Sequence, residues 1–356
     1  MEQPNDGPAL PDVVAEFYER LAKATKLALS PPRIEVGTTP HETIYEEGTM
    51  KLYHYLEPPQ QPERKKRPPI LLVYALINKP YIMDLQPGRS VVESLLRGGL
   101  DVYLIDWGTP TEMDRDLTVS DYVNGLMDHC VDKVREVSGE DSISILGYCM
   151  GGTFTSMYVI HHPEKVKRFA LMAAPVAFES KGSFLNVWAL APGFDPKKIA
   201  DAFGLVPPDF FNAGFALLDP LRTNYLKFKE LLQRMDDQDF VENFLRMELW
   251  TIDGIPMAGP TFAEIVGNGY QRDMLVKGTW VLDGKTMKLS DITIPVAGII
   301  GTFDNIVPPE CTWNAIECMS SKEKIKFELP GGHVGLAVGG RAHKEMWPKV
   351  ADWFLK

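Results

Sequence analysis

The sequence predicts an α/β fold, with a mostly parallel central sheet, flanking helices and a helical lid or cap insertion. Three observations predict it. Short apolar runs alternate with helix-permissive runs along much of the 356 residues. The run Ile70 to Leu76 is continuously apolar, as in a strand buried on both faces. A third apolar run, Ile143-Ser144-Ile145-Leu146, passes through Gly147-Tyr148-Cys149-Met150-Gly151-Gly152 into a helix-permissive run, a sharp strand–turn–helix junction.

In chain order, residues 1–12 are expected to be flexible. Val13 to Leu29 has helical spacing, and Lys51 to Leu56 reads as a strand ending at Pro58-Pro59. The basic cluster Arg64-Lys65-Lys66-Arg67 reads as a solvated loop, with contact to an anionic ligand as the lesser alternative. The strand Ile70 to Leu76 is followed by a helix from about Ser90 to Arg97, which Gly98-Gly99 stops. Val102 to Ile105 is the next strand. Thr118 opens an amphipathic pattern to about Val137, with Ser120-Asp121 as caps. The junction strand and its helix (Thr153 to Ile160) follow, then a strand from Arg168 to Ala174.

From about Val176 to Ser290 the βα rhythm fades, and Phe, Trp, Met and Pro become dense. Most of the aromatics, among them Trp188, Phe210, Phe211 and Phe262, read as the core of a helical insertion; some are expected to line an apolar channel beneath a lid. The rhythm returns with a strand over Ile294 to Ile300, a helix through Cys311 and Cys318, a strand from Lys324 to Leu329 and a final helix from about Ala342 to Leu355. The organisation is therefore a core of residues 1–175 and 291–356, interrupted by a lid at 176–290.

Composition excludes several function classes. A net charge of −11 and a pI near 5.2 argue against a nucleic-acid binder. No apolar run is long enough to span a bilayer, and the acidic, proline-containing start has no signal-like apolar stretch. Four cysteines without a C-x-x-C pair suggest reduced thiols and a cytoplasmic protein. No metal-ligand or nucleotide-binding spacing is present, so no cofactor is expected.

The junction at Cys149 has the form of a nucleophile elbow, G-x-S-x-G, with cysteine in serine's place. At a helix N-terminus, unpaired amides and the helix dipole favour the reactive thiolate. Asp304 follows the returning strand and His333 follows the last one. The order Cys…Asp…His, with acid and base on loops after later strands, is that of α/β-hydrolase triads. His333 is expected to take the Cys149 proton, and Asp304 to fix its tautomer. Taken singly, a cysteine is usually a small buried hydrophobe and a loop Asp a turn residue; their joint placement is what favours a triad. The oxyanion hole is expected from the backbone N–H of Met150 and of Ile77. Sulfur suits a thioester donor, because thiolate attack gives another thioester and keeps the acyl group activated. An acyltransferase is the expected activity. A Cys-dependent thioesterase or dienelactone-hydrolase-like enzyme is the alternative, and an inactive scaffold on the same core is a third.

Four stretches together resemble a known family. They are Tyr74-Ala75-Leu76-Ile77-Asn78-Lys79-Pro80-Tyr81-Ile82-Met83-Asp84-Leu85, Asp101-Val102-Tyr103-Leu104-Ile105-Asp106-Trp107-Gly108, Gly147 to Gly152, and Pro330-Gly331-Gly332-His333. They are similar to the catalytic subunit of a two-subunit polyhydroxyalkanoate synthase, of class III or class IV, and the likeness runs from about Ile34 to the C-terminus. Gly254-Ile255-Pro256 leans towards class IV, and Asn305-Ile306-Val307-Pro308-Pro309 towards class III. The resemblance implies polymerisation of (R)-3-hydroxyacyl-CoA, chiefly short-chain units such as 3-hydroxybutyryl, with CoA released as a product. It implies that Cys149 carries the chain, that His333 is the base, and that Asp304 either orients it or activates the attacking hydroxyl. It also implies a homodimer, a second, non-catalytic subunit, and residence at polyester granules. Asn305 departs from the family, which commonly has histidine there.

Overall fold

In the computed structural model, which describes residues 10–56, 67–180, 183–221 and 225–356, one eight-stranded sheet organises the chain. Its strands are β1 (His41–Glu47), β2 (Met50–Tyr55), β3 (Pro69–Val73), β4 (Asp101–Asp106), β5 (Ile143–Tyr148), β6 (Val166–Met172), β7 (Val296–Gly301) and β8 (Lys324–Leu329). They lie in the order β1-β2-β4-β3-β5-β6-β7-β8. β2 pairs antiparallel with β1 and β4, and every other neighbouring pair is parallel. The central strands PILLV, ISILGY and VAGIIG are buried throughout, as parallel strands covered on both faces must be. Edge strand β8 alternates Lys324, Lys326 and Glu328 with apolar residues, so its open side carries charge that discourages further pairing.

Helices pack on both faces. α1 (Leu10–Leu29) lies at the start of the described chain. α2 (Val91–Gly98) begins where Ser90 Oγ accepts the Glu93 amide at 2.9 Å and stops at Gly99, left-handed at φ 96°. α3 (Met127–Ser138) is preceded by a π-helical turn over Asp121–Leu126. Here the cap differs from expectation. Thr118, not Ser120, caps the turn: its N and Oγ1 donate to Asp121 Oδ2 at 2.7 and 2.6 Å, and the Asp121 amide returns to Thr118 Oγ1 at 3.3 Å. α4 (Met150–His161) follows the elbow and ends before Pro163.

Several boundaries also move. β3 stops at Val73 rather than Leu76 because the chain turns into the loop that approaches α4. β6 starts two residues early, at Val166, and β7 starts at Val296. The last helical stretch is broken into α13 (Gly340–Glu345) and α14 (Trp347–Phe354), with Pro348 in the first turn of α14, where its missing N–H costs nothing. Between β7 and β8 runs α11 (Pro309–Glu317), and α12 (Gly335–Val338) follows β8. Of the basic cluster, Arg64 to Lys66 fall outside the described residues, as do residues 1–9. Arg67 is buried rather than solvated, and its guanidinium donates to the Leu96 carbonyl at 3.3 Å.

Residues 176–290 contribute no strand to the main sheet among the described residues. They form α5 (Phe184–Ala189), α6 (Pro196–Phe203), α7 (Pro208–Leu218), α8 (Lys227–Gln233), α9 (Gln238–Ile252) and α10 (Gly259–Glu264), then a π-helical turn over Ile265–Tyr270. Leu205–Val206 and Met257–Ala258 pair as a short antiparallel ribbon. This helical segment is sewn to the loop after β3. The Ile255 amide donates to the Ile77 carbonyl at 2.9 Å, Trp250 Nε1 to the Lys79 carbonyl at 3.0 Å, and Tyr81 Oη to Asp253 at 3.2 Å.

Candidate active site

Cys149 sits where β5 hands over to α4, at φ 55° and ψ −130°. A residue with a side chain pays conformational strain there, on the order of 1–3 kcal/mol, that only its surroundings can hold. The hold is visible. The Cys149 amide donates to the Met172 carbonyl of β6 at 2.9 Å, and its carbonyl accepts the Gly152 amide at 2.9 Å. Three glycines make room. A methyl group at Gly147 would lie 2.4 Å from Thr155 Oγ1, at Gly151 2.1 Å from the Val73 carbonyl oxygen, and at Gly152 2.3 Å from Ala174 Cβ. Their absence of side chains lets α4 seat against the ends of β3 and β6, which aims the thiol out of the sheet. No side chain caps α4, so no side-chain acceptor occupies its first amides.

Asp304 and His333 arrive from the loops after β7 and β8. Those loops are held together by Phe303 N donating to the Gly331 carbonyl at 3.0 Å, and a methyl at Gly301 would lie 2.5 Å from that same oxygen. Asp304 Oδ2 accepts His333 Nδ1–H at 2.7 Å, with both residues buried. Asp304 Oδ1 accepts the Ile306 and Val307 amides, each at 2.9 Å, so both carboxylate oxygens are committed. Burial pulls the His333 pKa down, but Asp304 and Cys149 oppose it through charge and hydrogen bonding and hold it up, to about 10. The imidazole therefore favours its charged form beside the sulfur. The sequence-predicted trio is brought together in one place.

Sequence reasoning missed a set of tyrosines around the sulfur. Tyr148 Oη donates to the His333 carbonyl at 3.2 Å, and its ring centroid lies 5.2 Å from the imidazole. Tyr74 lies 5.1 Å from Tyr148, ring to ring. Burial raises the phenol pKa of Tyr74, Tyr148 and Tyr270 well above the ordinary value, and Cys149 adds to the effect in all three. They stay neutral. Only Tyr148, adjacent to Cys149, carried a local signal; Tyr74 and Tyr270 come from distant segments that the topology brings in.

Met150 and Ile77 both line an apolar cavity of about 110 Å³ beside the elbow. Its far wall comes from the helical segment and includes Trp188, Phe211, Phe215 and Phe262. Tyr270 also lines it, linking it to the neighbourhood of Cys149. The Ile77 carbonyl is engaged by Ile255, and the exit from β3 is pinned by Trp107 Nε1 donating to the Tyr74 carbonyl at 3.0 Å. Not every aromatic of 176–290 faces this space. Phe178 packs on Tyr270 in the core, Phe244 stacks with Phe228 and Phe240, and Phe203 is exposed.

The remaining candidates lie elsewhere. Cys130 is buried against Met50 with its thiol pushed far up by burial, Cys311 is buried with its thiol pushed up to about 12, and Cys318 is exposed. His161 and His162 sit at the end of α4, with pKa values lowered by burial. Asn305 is exposed beside Asp304, while Asp304 itself is buried. Among the described residues no cluster of His, Cys, Asp or Glu has metal-site geometry, and no helix is long and apolar enough to cross a membrane.

Comparison with known proteins bears on the fold and the family. The family model described as alpha/beta hydrolase fold matches residues 68–339, and that of the poly-beta-hydroxybutyrate polymerase (PhaC) N-terminus matches residues 24–95. The chain is similar to the poly(3-hydroxyalkanoate) polymerase subunit PhaC of Haloferax mediterranei, at 44% identity over 96% of this chain and 69% of that protein. It is 38% identical to the subunit of the same name from Allochromatium vinosum, over 95% of this chain and 94% of that one. The Synechocystis sp. subunit PhaC is 37% identical over 90% of this chain and 85% of its own length. Among solved structures, a hydrolase from Pseudomonas aeruginosa PA01 aligns with a TM-score of 0.54 at 15% identity, over 90% of this chain and 99% of that one. A soluble variant of monoglyceride lipase from Saccharomyces cerevisiae aligns at 0.55 and 13% identity, over 91% and 98%. These two share the fold.

Proposed function

The chain belongs to the poly(3-hydroxyalkanoate) polymerase (PhaC) family and is an acyltransferase of α/β-hydrolase fold, and from that premise we propose that it builds its polyester through a thioester on Cys149. The substrate is (R)-3-hydroxyacyl-CoA. His333, with its Nδ1–H held by Asp304, takes the Cys149 proton; the thiolate attacks the thioester carbonyl. The developing oxyanion is met by the Met150 amide at the start of α4 and by the Ile77 amide across the cavity. Collapse expels the CoA thiolate, which leaves with the proton from His333, and the acyl group remains on sulfur. Exchanging one thioester for another costs little free energy. The 3-hydroxyl of a second unit then attacks this thioester while His333 takes its proton; the carbon–sulfur bond breaks, the ester bond of the polymer forms, and His333 returns the proton to the departing Cys149 thiolate.

The 2.7 Å bond from His333 to Asp304, beside the elbow cysteine, is the observation that carries this reading. Because Asp304 spends Oδ2 on His333 and Oδ1 on two backbone amides, we assign it to orienting the imidazole rather than to activating a hydroxyl. Residues 176–290 act as a lid, whose aromatic wall keeps water from competing with the hydroxyl. A homodimer, a second, non-catalytic subunit, as the relatives' name of subunit suggests, and cytoplasmic residence at the granule surface complete the proposal.

The test is direct. Purified protein given (R)-3-hydroxybutyryl-CoA, with and without the partner subunit, should release CoA and form insoluble polymer, and Cys149→Ala should do neither. CoA release that leaves only monomeric 3-hydroxybutyrate would instead identify a Cys-dependent thioesterase or dienelactone-hydrolase-like enzyme. Activity unchanged in Cys149→Ala would remove the thioester from the mechanism altogether.

A further inference from the structure

The cavity beside the elbow is small and its walls are unequal. At about 110 Å³ it is smaller than the roughly 300–1,000 Å³ of most small-molecule pockets. Phe210, Phe211 and Phe262 interlock edge to face with ring centroids 5.7 to 6.0 Å apart, so that side of the wall is fixed by mutual packing. The Trp188 indole, which lines the same cavity with Leu185 and Ala189, is held differently. Trp188 stands on Gly214 of α7, where an added methyl would lie 2.6 Å from Cζ3 and 3.1 Å from Cη2. The end of α5 that carries it is tied down by Gln271 Nε2 donating to the Ala189 carbonyl at 2.8 Å. Gly214 therefore sets how closely the indole can sit on α7, and the indole lines the same cavity as Met150.

We propose that Trp188, seated on Gly214, is the residue that limits the length of the alkyl substituent on the 3-hydroxyacyl unit this enzyme accepts. The inference rests on the polymerase reading of the same site. An acyl unit held at Cys149, next to Met150, extends its substituent into this cavity, and the longer the alkyl chain the more of the space beside the indole it needs. Trp188→Ala opens the far end, whereas Gly214→Ala pushes the indole inwards, because the far rim of a side chain yields more easily than helix backbone.

The experiment measures kcat/KM for (R)-3-hydroxybutyryl-CoA and (R)-3-hydroxyhexanoyl-CoA on wild type, Trp188→Ala, Trp188→Phe and Gly214→Ala. The wild type is expected to favour the four-carbon unit. A single methylene in an apolar pocket is worth roughly ten-fold or more in kcat/KM, so Trp188→Ala should move the ratio at least ten-fold towards the six-carbon unit. Trp188→Phe should move it part of the way, and Gly214→Ala should move it in the opposite direction. If Trp188→Ala does not fold, the opposed shifts of the other two variants decide the matter. Variants that turn over both thioesters at the wild-type ratio overturn the assignment of Trp188 and leave the polymerase reading intact. A wild type that releases CoA from neither overturns both.

Discussion

Gly151→Ala is a one-methyl perturbation whose cost can be worked from the structure. The added Cβ would lie 2.1 Å from the Val73 carbonyl oxygen, 2.7 Å from its carbonyl carbon and 3.0 Å from that of Tyr74. All three are backbone atoms at the end of a buried strand, so no rotamer change relieves the clash. Ordinary carbon–oxygen contact begins near about 3.3 Å, and the first turn of α4 must retreat from β3 by roughly 1 Å. That turn carries Cys149 and the Met150 amide. A misplacement of about 1 Å in a catalytic constellation costs on the order of 100-fold in rate, and overpacking of this kind costs about 1–3 kcal/mol of stability. Gly125→Ala is the matched control: nothing lies within 4 Å of its added methyl, and a gain of about 0.4–1 kcal/mol is expected. The assay is the loss of thioester absorbance with (R)-3-hydroxybutyryl-CoA, alongside urea unfolding of each variant. Gly151→Ala turning over within three-fold of wild type would refute the claim that close seating of α4 on β3 positions the nucleophile.

Three further changes separate the contributions of the surroundings. Asp304→Asn keeps an oxygen for the Ile306 and Val307 amides but presents an N–H or a neutral oxygen to His333; kcat should fall by roughly 10³–10⁴-fold, by analogy with serine-protease triads, and a loss below ten-fold would count against an orienting carboxylate. Trp107→Phe strands the buried Tyr74 carbonyl and should cost about 1–3 kcal/mol in urea unfolding, with the rate falling as the β3 exit loosens; an unchanged midpoint would show that another donor replaces the indole. His343 gives a pH signature: burial, with Arg89 and Arg97, lowers its pKa from 6.5 to about 4, so the fold prefers the neutral ring. Its contribution is complete above pH 6.5 and lost as pH falls to about 4, roughly 3 kcal/mol in all. Urea midpoints of wild type and His343→Gln should therefore converge between pH 7 and pH 4, and parallel curves would sink the assignment.

The elbow was legible because it is local: two flanking glycines, an apolar strand before them and a helix-permissive run after. Asp304 and His333 were legible because the βα rhythm marks strand ends, and strand ends are where such loops emerge. β1 was missed. Its run HETIYEE is largely exposed at the sheet edge, so no buried face writes an apolar pattern into it. Arg67 was misread because a charge run looks solvated, whereas it is buried and its guanidinium donates to a carbonyl that arrives from α2. The tyrosines around Cys149 come from β5, the loop after β3 and the π-helical turn of the insertion. Nothing in any one segment signals the other two. The same holds for the wall of the cavity, where a glycine in α7 matters only because α5 brings an indole over it.

The bond from Ile255 to the Ile77 carbonyl has a consequence for fidelity. It joins the helical segment to the very peptide stretch proposed to give the second oxyanion donor, and the bridge between Asn78 and Gly254 belongs to the same tie. A cover fastened in this way does not swing free of the machinery beneath it. In the proposed mechanism, lifting it to let an acyl-CoA in would pull on the loop that completes the catalyst, and water would arrive at an idle enzyme. On settling, shelter and reactivity would return in one movement. A growing chain would thus be guarded against hydrolysis at the moment it is most accessible, by coupling rather than by any further barrier.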